Sequence, residues 1–140
     1  MPGEEGQGQQ QAIQQYQQIQ QQLQQVQDYI DQVEQSIEQV NETSTAAKDL
    51  KDEEVGSEML VPLGSGVFAV GELKDTEKVV VNVGGDAFEK KEIDQARGIL
   101  SERIDELKDT REELQGTVDD LQEEMQSIQQ HLQQARQQQD

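Results

Sequence analysis

The chain has no cysteine and no tryptophan, only two prolines and one histidine, and its 11 basic residues are outnumbered by 30 acidic ones. Without cysteine there can be neither a disulfide framework nor a thiolate metal site, which suits an intracellular protein. The net charge of −19 repels nucleic acid and anionic lipid and argues against either as a partner. Long hydrophobic runs are also missing. The longest uncharged, apolar-leaning stretch, Met59 to Gly71, is interrupted by Pro62, Gly64 and Gly66, too short and too broken to span a membrane. The amino terminus, Met1-Pro2-Gly3-Glu4-Glu5-Gly6, is acidic and lacks the basic and apolar regions of a signal peptide, so a cytoplasmic location is expected. A hydrophobic content of 31% is too low for a compact globule, and most of the chain is expected to be solvated helix.

What is present is a rhythm. Tyr16, Ile19, Leu23, Val26, Ile30, Val33, Ile37 and Val40 follow one another at alternating spacings of three and four, a heptad seam that extends to Ala12, Ser44 and Ala47. The same alternation links Ile93, Arg97, Leu100, Ile104, Leu107, Arg111, Leu114, Val118, Leu121, Met125, Ile128, Leu132 and Ala135. The two arginines on this row are expected to lay their stems along the core and fix register. Gly98 and Gly116 fall off the seam, on a solvated face or as hinges.

Between the arms the helical period disappears, and short apolar runs bounded by Gly, Pro or Asp read as strands. Met59 to Leu63 and Val67 to Leu73 flank a Gly64-Ser65-Gly66 turn, while Lys78 to Val83 and Ala87 to Lys90 flank Gly84-Gly85-Asp86. This gives a disordered 1–9, a first coiled-coil helix over 10–54, a double β-hairpin head over 55–91 and a second helix over 92–140. The fold class is mainly α, an antiparallel two-helix coiled-coil hairpin with two central β-hairpins. Two hairpins cannot bury enough surface alone, so the head is expected to assemble with other subunits.

No catalytic constellation is found. His131 has no second histidine or cysteine with which to share a metal, and Asp119-Asp120 and Glu123-Glu124 continue a solvated heptad face. The glycines lack the lysine of a phosphate loop and the spacing of a dinucleotide fingerprint. Neither enzyme activity nor a cofactor is expected.

Charge is distributed more tellingly. Residues 7–27 carry no charged side chain, and from Met125 to Gln139 only Arg136 is charged. In an antiparallel hairpin these segments lie side by side at the free end. Ala12, Ile13, Tyr16, Ile19 and Leu23 then meet Met125, Ile128, Leu132 and Ala135 at a neutral, glutamine-coated tip. Such a seam, partly reachable where the ends fray, offers adaptable contacts to irregular apolar surfaces. A plain neutral helical surface is the alternative. The acidic excess elsewhere also predicts a protein suited to a salt-rich cytoplasm, since molar salt screens its self-repulsion.

A heptad arm, then Met59-Leu60-Val61-Pro62-Leu63-Gly64-Ser65-Gly66-Val67-Phe68-Ala69-Val70-Gly71, then Lys78-Val79-Val80-Val81-Asn82-Val83-Gly84-Gly85-Asp86-Ala87-Phe88-Glu89-Lys90, then a second arm, resembles the α-class subunit of archaeal prefoldin. The resemblance implies a hexamer of two α-class and four β-class subunits, whose hairpins form a β-barrel platform. It also implies coiled-coil tips that hold non-native polypeptides and pass them, without ATP, to a group II chaperonin. Carried over, Leu60, Val61, Val67, Phe68, Val70, Val79, Val81 and Val83 would be platform residues, and the tip residues named above would hold clients. A structural coiled-coil adaptor tethering defined partners is the competing expectation.

Overall fold

A computed structural model describes the backbone of residues 2–138 and the side chains of residues 6–137. Two helices, α1 (Pro2–Asp49) and α2 (Ile93–Gln138), flank four strands: β1 (Glu58–Gly64), β2 (Val67–Glu72), β3 (Lys78–Gly84) and β4 (Ala87–Glu92). A 3-10 turn, Leu50–Asp52, closes α1. The chain divides into two compact units, one formed by 1–35 with 107–140 and the other by 36–106.

In the first unit α1 and α2 run antiparallel, and burial follows the heptad. Ala12, Ile19, Ile30 and Val33 on α1 and Val118 on α2 are buried, while nearly all residues between the seam positions are exposed, half-buried Thr110 excepted. The helix extends back to Pro2, so residues 2–9, expected to be disordered, are helical, whereas Met1 lies outside the described residues. Gly3, Gly6 and Gly8 each cost about 1 kcal/mol relative to alanine, so this stretch is carried by propagation from the glutamine-rich helix that follows.

In the second unit Ile37, Ile93, Ala96, Leu100 and Ile104 are the buried apolar residues of the helices. The seam here differs from the sequence expectation by one residue. Ala96 is buried at 2% exposure, and Arg97 stands beside it at the seam's edge, donating its Nε–H to Ser44 Oγ at 3.1 Å. Spacings of three-then-four and four-then-three both fit a heptad between Ile93 and Leu100. The small alanine takes the tight site, and the guanidinium reaches its partner from the edge. Lys51 Nζ bonds Asp94 Oδ1 at 2.5 Å where the helices meet the strands.

The strands form two separate antiparallel hairpins, β1–β2 and β3–β4. Their registers are copies of each other. Pairs from Glu58↔Glu72 to Gly64↔Val67, with an irregularity between Pro62 and Gly64, recur as Lys78↔Glu92 to Gly84↔Ala87, with the irregularity between Asn82 and Gly84. Even the closing bonds repeat: Leu73 N–H donates to the Ser57 carbonyl and Ile93 N–H to the Glu77 carbonyl. Each position of the first hairpin thus has its counterpart twenty residues on. At the first turn Ser65 (φ 52°) and Gly66 (φ 81°) supply the positive φ of a primed hairpin turn.

The copies differ in how they are held. Asn82 caps the second turn, its Nδ2 donating to the Gly85 carbonyl and its Oδ1 accepting from Gly84 N–H, and its own carbonyl accepts a bond from the Arg103 guanidinium of α2. Pro62, its counterpart, has no amide to offer. Between the hairpins Asp75 Oδ1 accepts the N–H groups of Glu77 and Lys78 at 2.8 and 3.1 Å, which tightens the link. Val81 is buried at 9% exposure, whereas β1 has no buried residue.

Candidate functional site

The first unit places the expected tip residues on two helices that meet with their polar faces outward. Ala12 and Ile19 are buried in the seam, and Tyr16, Leu23, Met125, Ile128, Leu132 and Ala135 are half-buried. Ile13 departs from the seam and is 47% exposed. It lies in an open groove with Tyr16, Gln129, Leu132, Gln133 and Arg136. A second groove takes in Ile19 and Ile128 with Gln15, Gln18, Gln22, Ser127 and Glu124. Five of the nine expected tip residues therefore line a groove, while Ala12, Leu23, Met125 and Ala135 line neither.

Gln129 Nε2 donates to the Tyr16 hydroxyl at 3.0 Å, so the phenol ring is held across the first groove's helix pair. Arg136 is exposed and is the groove's single charged group. An apolar floor of Ile13, Tyr16 and Leu132 between side-chain amides gives the groove the means to hold an apolar side chain of a partner. It has no nucleophile, acid–base pair or ion-binding set. His131 is exposed, and among the described residues no group of three His, Asp or Glu side chains could hold a metal ion.

The second unit carries a different surface. Leu60, Val61, Val67, Phe68 and Val70 of the first hairpin are all 45% exposed or more. Because cross-strand partners share a face, Leu60 with Val70 and Pro62 with Phe68 make one apolar patch. Of the expected platform residues on β3, Val83 is exposed, Val79 is half-buried and Val81 is turned into its own chain. The outward residues of the second hairpin are Val80 and Phe88, at 66% and 63% exposure. Sequence reading passed over both. Their signal is the hairpin copy itself, because Val80 and Phe88 occupy the positions of Leu60 and Phe68. Apolar side chains this exposed on two-stranded sheets are left uncovered within the chain.

Two charged groups fix the base of the head. Asp75 has its carboxyl held below the usual aspartate range, chiefly by the Glu77 N–H, with Lys78 N–H and the charges of Lys90 and Lys78 adding to it. Asp94 is lowered in the same sense, first by the hydrogen bond from Lys51 and then by its charge.

Comparison with known proteins adds a sequence relationship to this geometry. The family described as Prefoldin subunit matches residues 10–138. Curated relatives include a prefoldin subunit alpha of Methanococcus maripaludis, 30% identical over 71 residues, covering 51% of this chain and 49% of that protein. A prefoldin subunit alpha of Methanothrix thermoacetophila is 48% identical over 48 residues, 34% of this chain and 31% of that protein. The matched stretches thus span half or less of the relatives' own length. Among solved structures, a chain of the filamentous PFD of Methanocaldococcus jannaschii, determined by cryo-EM, superposes with a TM-score of 0.72 at 22% identity, covering 84% of this chain and 95% of that one. At that identity it shows a shared fold.

Proposed function

Since the chain belongs to the prefoldin family, we propose that it is an α-class subunit of an ATP-independent holdase, which grips non-native polypeptides at the Ile13–Leu132 groove. The observation that carries this reading is Ile13, 47% exposed beside half-buried Tyr16 and Leu132 in an open groove almost free of charge. A groove of this kind suits weak contact with many apolar segments. Several tips in one assembly turn weak contacts into useful avidity, and no bond has to be made or broken.

Assembly is the task of the head. Leu60, Phe68, Val70, Val80 and Phe88 need covering, and β-class partners in a hexamer of two α-class and four β-class subunits would supply the cover through a shared β-barrel. Held clients would pass to a group II chaperonin in the cytoplasm. No helix among the described residues is long and apolar enough to cross a membrane.

The test is suppression of aggregation of several unrelated denatured proteins, followed by light scattering, with the chain assembled with its β-class partner. A holdase suppresses most of them, and combined replacement Ile13→Ser, Tyr16→Ser and Leu132→Ser weakens suppression while leaving the native mass unchanged. An adaptor for defined partners would ignore most of the denatured proteins, and unchanged suppression by the triple variant would remove the groove from the account.

A further inference from the structure

The two hairpins offer four strand edges, and hydrogen-bond parity decides which backbone groups each edge presents. Leu73 N–H bonds the Ser57 carbonyl, and Ile93 N–H bonds the Glu77 carbonyl. Residues that exchange bonds across an antiparallel pair recur at every second position. Ala69 and Gly71 therefore turn their amides and carbonyls toward β1, while Phe68 and Val70 turn theirs out of the hairpin. The same parity turns Leu60 and Pro62 outward on β1, Lys78, Val80 and Asn82 on β3, and Phe88 and Lys90 on β4. Two observations agree with it. Pro62 has no amide to place inside a ladder, and the Asn82 carbonyl is free to accept from Arg103.

Three of the four edges resist another strand. On β1, Pro62 removes an outward donor and confines that strand to the border of a sheet. On β3 the chain itself takes the outward groups at both ends: Lys78 N–H bonds Asp75 Oδ1 at 3.1 Å, and the Asn82 carbonyl accepts from Arg103. On β4 the charged run Glu89-Lys90-Lys91-Glu92 guards the edge, as lysines do on strands that stay unpaired. β2 has none of these devices. Val67 to Gly71 carries no charge and no proline, and among the described residues no bond from outside the ladder reaches Phe68 or Val70. The face of β2 away from Phe68 is open beside Gly71 as well, where an added Cβ would meet only Met59 O and Val61 Cγ2 of the same hairpin, at 4.0 Å.

Resting on the reading of the head as the assembly surface, we infer that β2 pairs edge to edge with β2 of a second copy of this chain, antiparallel, about a two-fold axis through Ala69. The strand is its own complement in that register. Phe68 pairs with Val70 of the other copy and Val70 with its Phe68, each pair exchanging two backbone bonds, while Ala69 meets Ala69 and Val67 meets Gly71. An axis through Val70 would set the Glu72 carboxylate against Phe68, and one through Phe68 would set Val70 against the turn residue Gly66. A chain of net charge −19 repels its own copy, and pairing is least opposed along an uncharged edge. Two marginal two-stranded hairpins become one four-stranded sheet, with a Pro62 on each border strand. The outward face of that sheet, carrying Leu60 and Phe68 of both copies, remains for the β-class partners to cover.

The chain has no cysteine, so a single Ala69→Cys variant reports the axis directly. Position 69 faces its copy in a non-hydrogen-bonded pair, with Cα atoms about 4.5 Å apart, within the span of a disulfide. The control is Glu89→Cys, the position twenty residues on in β4. Both variants are assembled with the β-class partner, oxidised mildly and weighed under non-reducing conditions. Ala69→Cys links two copies of this chain on the order of 100-fold faster than Glu89→Cys, because pairing holds the thiols at millimolar effective concentration. Val70→Pro gives a second readout without an added thiol, since it removes an outward amide and no bond within the hairpin. Helicity by circular dichroism is kept while the native mass falls below that of the wild-type complex, whereas Lys90→Pro, its counterpart on β4, assembles as the wild type does. Equal linking by the two cysteine variants, or full assembly of Val70→Pro, overturns the inference. Protection of the Phe68 and Val70 amides from hydrogen exchange in a complex where Ala69→Cys does not link also overturns it, since a different strand then holds the edge. In these cases a wild-type mass above that of the single chain, lost in Phe68→Asp, keeps the head as the assembly surface. A wild type that stays a single chain beside its partner overturns both.

Discussion

The side-chain amide of Gln129 donates to the hydroxyl of Tyr16 at 3.0 Å, joining residues 113 apart in sequence. This bond records the antiparallel register in the groove-bearing unit, and it sits at an exposed site where water competes for both partners. Tyr16→Phe should therefore cost about 0.5–1 kcal/mol or less in chemical denaturation. Client binding should stay near wild type, because the ring that lines the groove is retained. A large loss of binding in Tyr16→Phe would move recognition from the ring to the hydroxyl.

The hairpins predict two kinds of defect. Phe68→Asp or Phe88→Asp places a charge on a surface exposed in the single chain, so helicity by circular dichroism should be kept while the native mass falls to that of unassembled subunits. Val81→Asp puts a carboxylate where the chain already buries an apolar side chain, and should unfold the head before assembly is reached. Intact assembly in the Phe68 and Phe88 variants would take the platform away from these faces.

Acid should loosen the base of the head. The carboxyls of Asp75 and Asp94 are held below their unfolded value of about 3.9, by the Glu77 N–H and by the Lys51 hydrogen bond respectively. A lowered folded value means that the stabilisation is present above the unfolded value and is lost as pH falls through the folded one. The stability difference between wild type and Asp94→Ala should be constant from neutrality down to about pH 5 and shrink below about pH 4. Equilibrium denaturation at stepped pH reads it, and a difference that grows on acidification would contradict the assignment.

Charge also sets the salt response. With a net charge of −19, the folded helices repel one another's side chains at low ionic strength, and the Debye length falls from about 10 Å at 0.1 M to about 3 Å at 1 M. The melting midpoint should therefore rise with potassium chloride from dilute to molar concentration. A flat or falling midpoint would argue against adaptation to a salt-rich interior.

The helices and both hairpins were legible because two periods are written plainly into the residues: three-four alternation in the arms and short runs between turn glycines in the head. Where a period allows two answers, the sequence did not choose. Ala96 and Arg97 both satisfy the spacing between Ile93 and Leu100, and side-chain size decided in favour of alanine. Val79, Val80 and Val81 are consecutive, so alternation does not say which face is outward. The burial of Val81 identifies the inward side. At the groove, residue type and lack of charge were readable in advance. The exposure of Ile13 beside a buried Ala12 was not, because it depends on which of two neighbouring apolar residues turns into the seam.

The central claim is that clients are held at the Ile13–Leu132 groove, and site-specific photocrosslinking tests it most directly. A photoreactive side chain is placed at Ile13 in one preparation and at Asp120, an exposed acidic position on α2, in another, and each assembled complex is illuminated with a denatured client. Covalent client adducts should form from position 13 and be nearly absent from position 120. Equal labelling at the two positions, or labelling at 120 alone, would contradict the account.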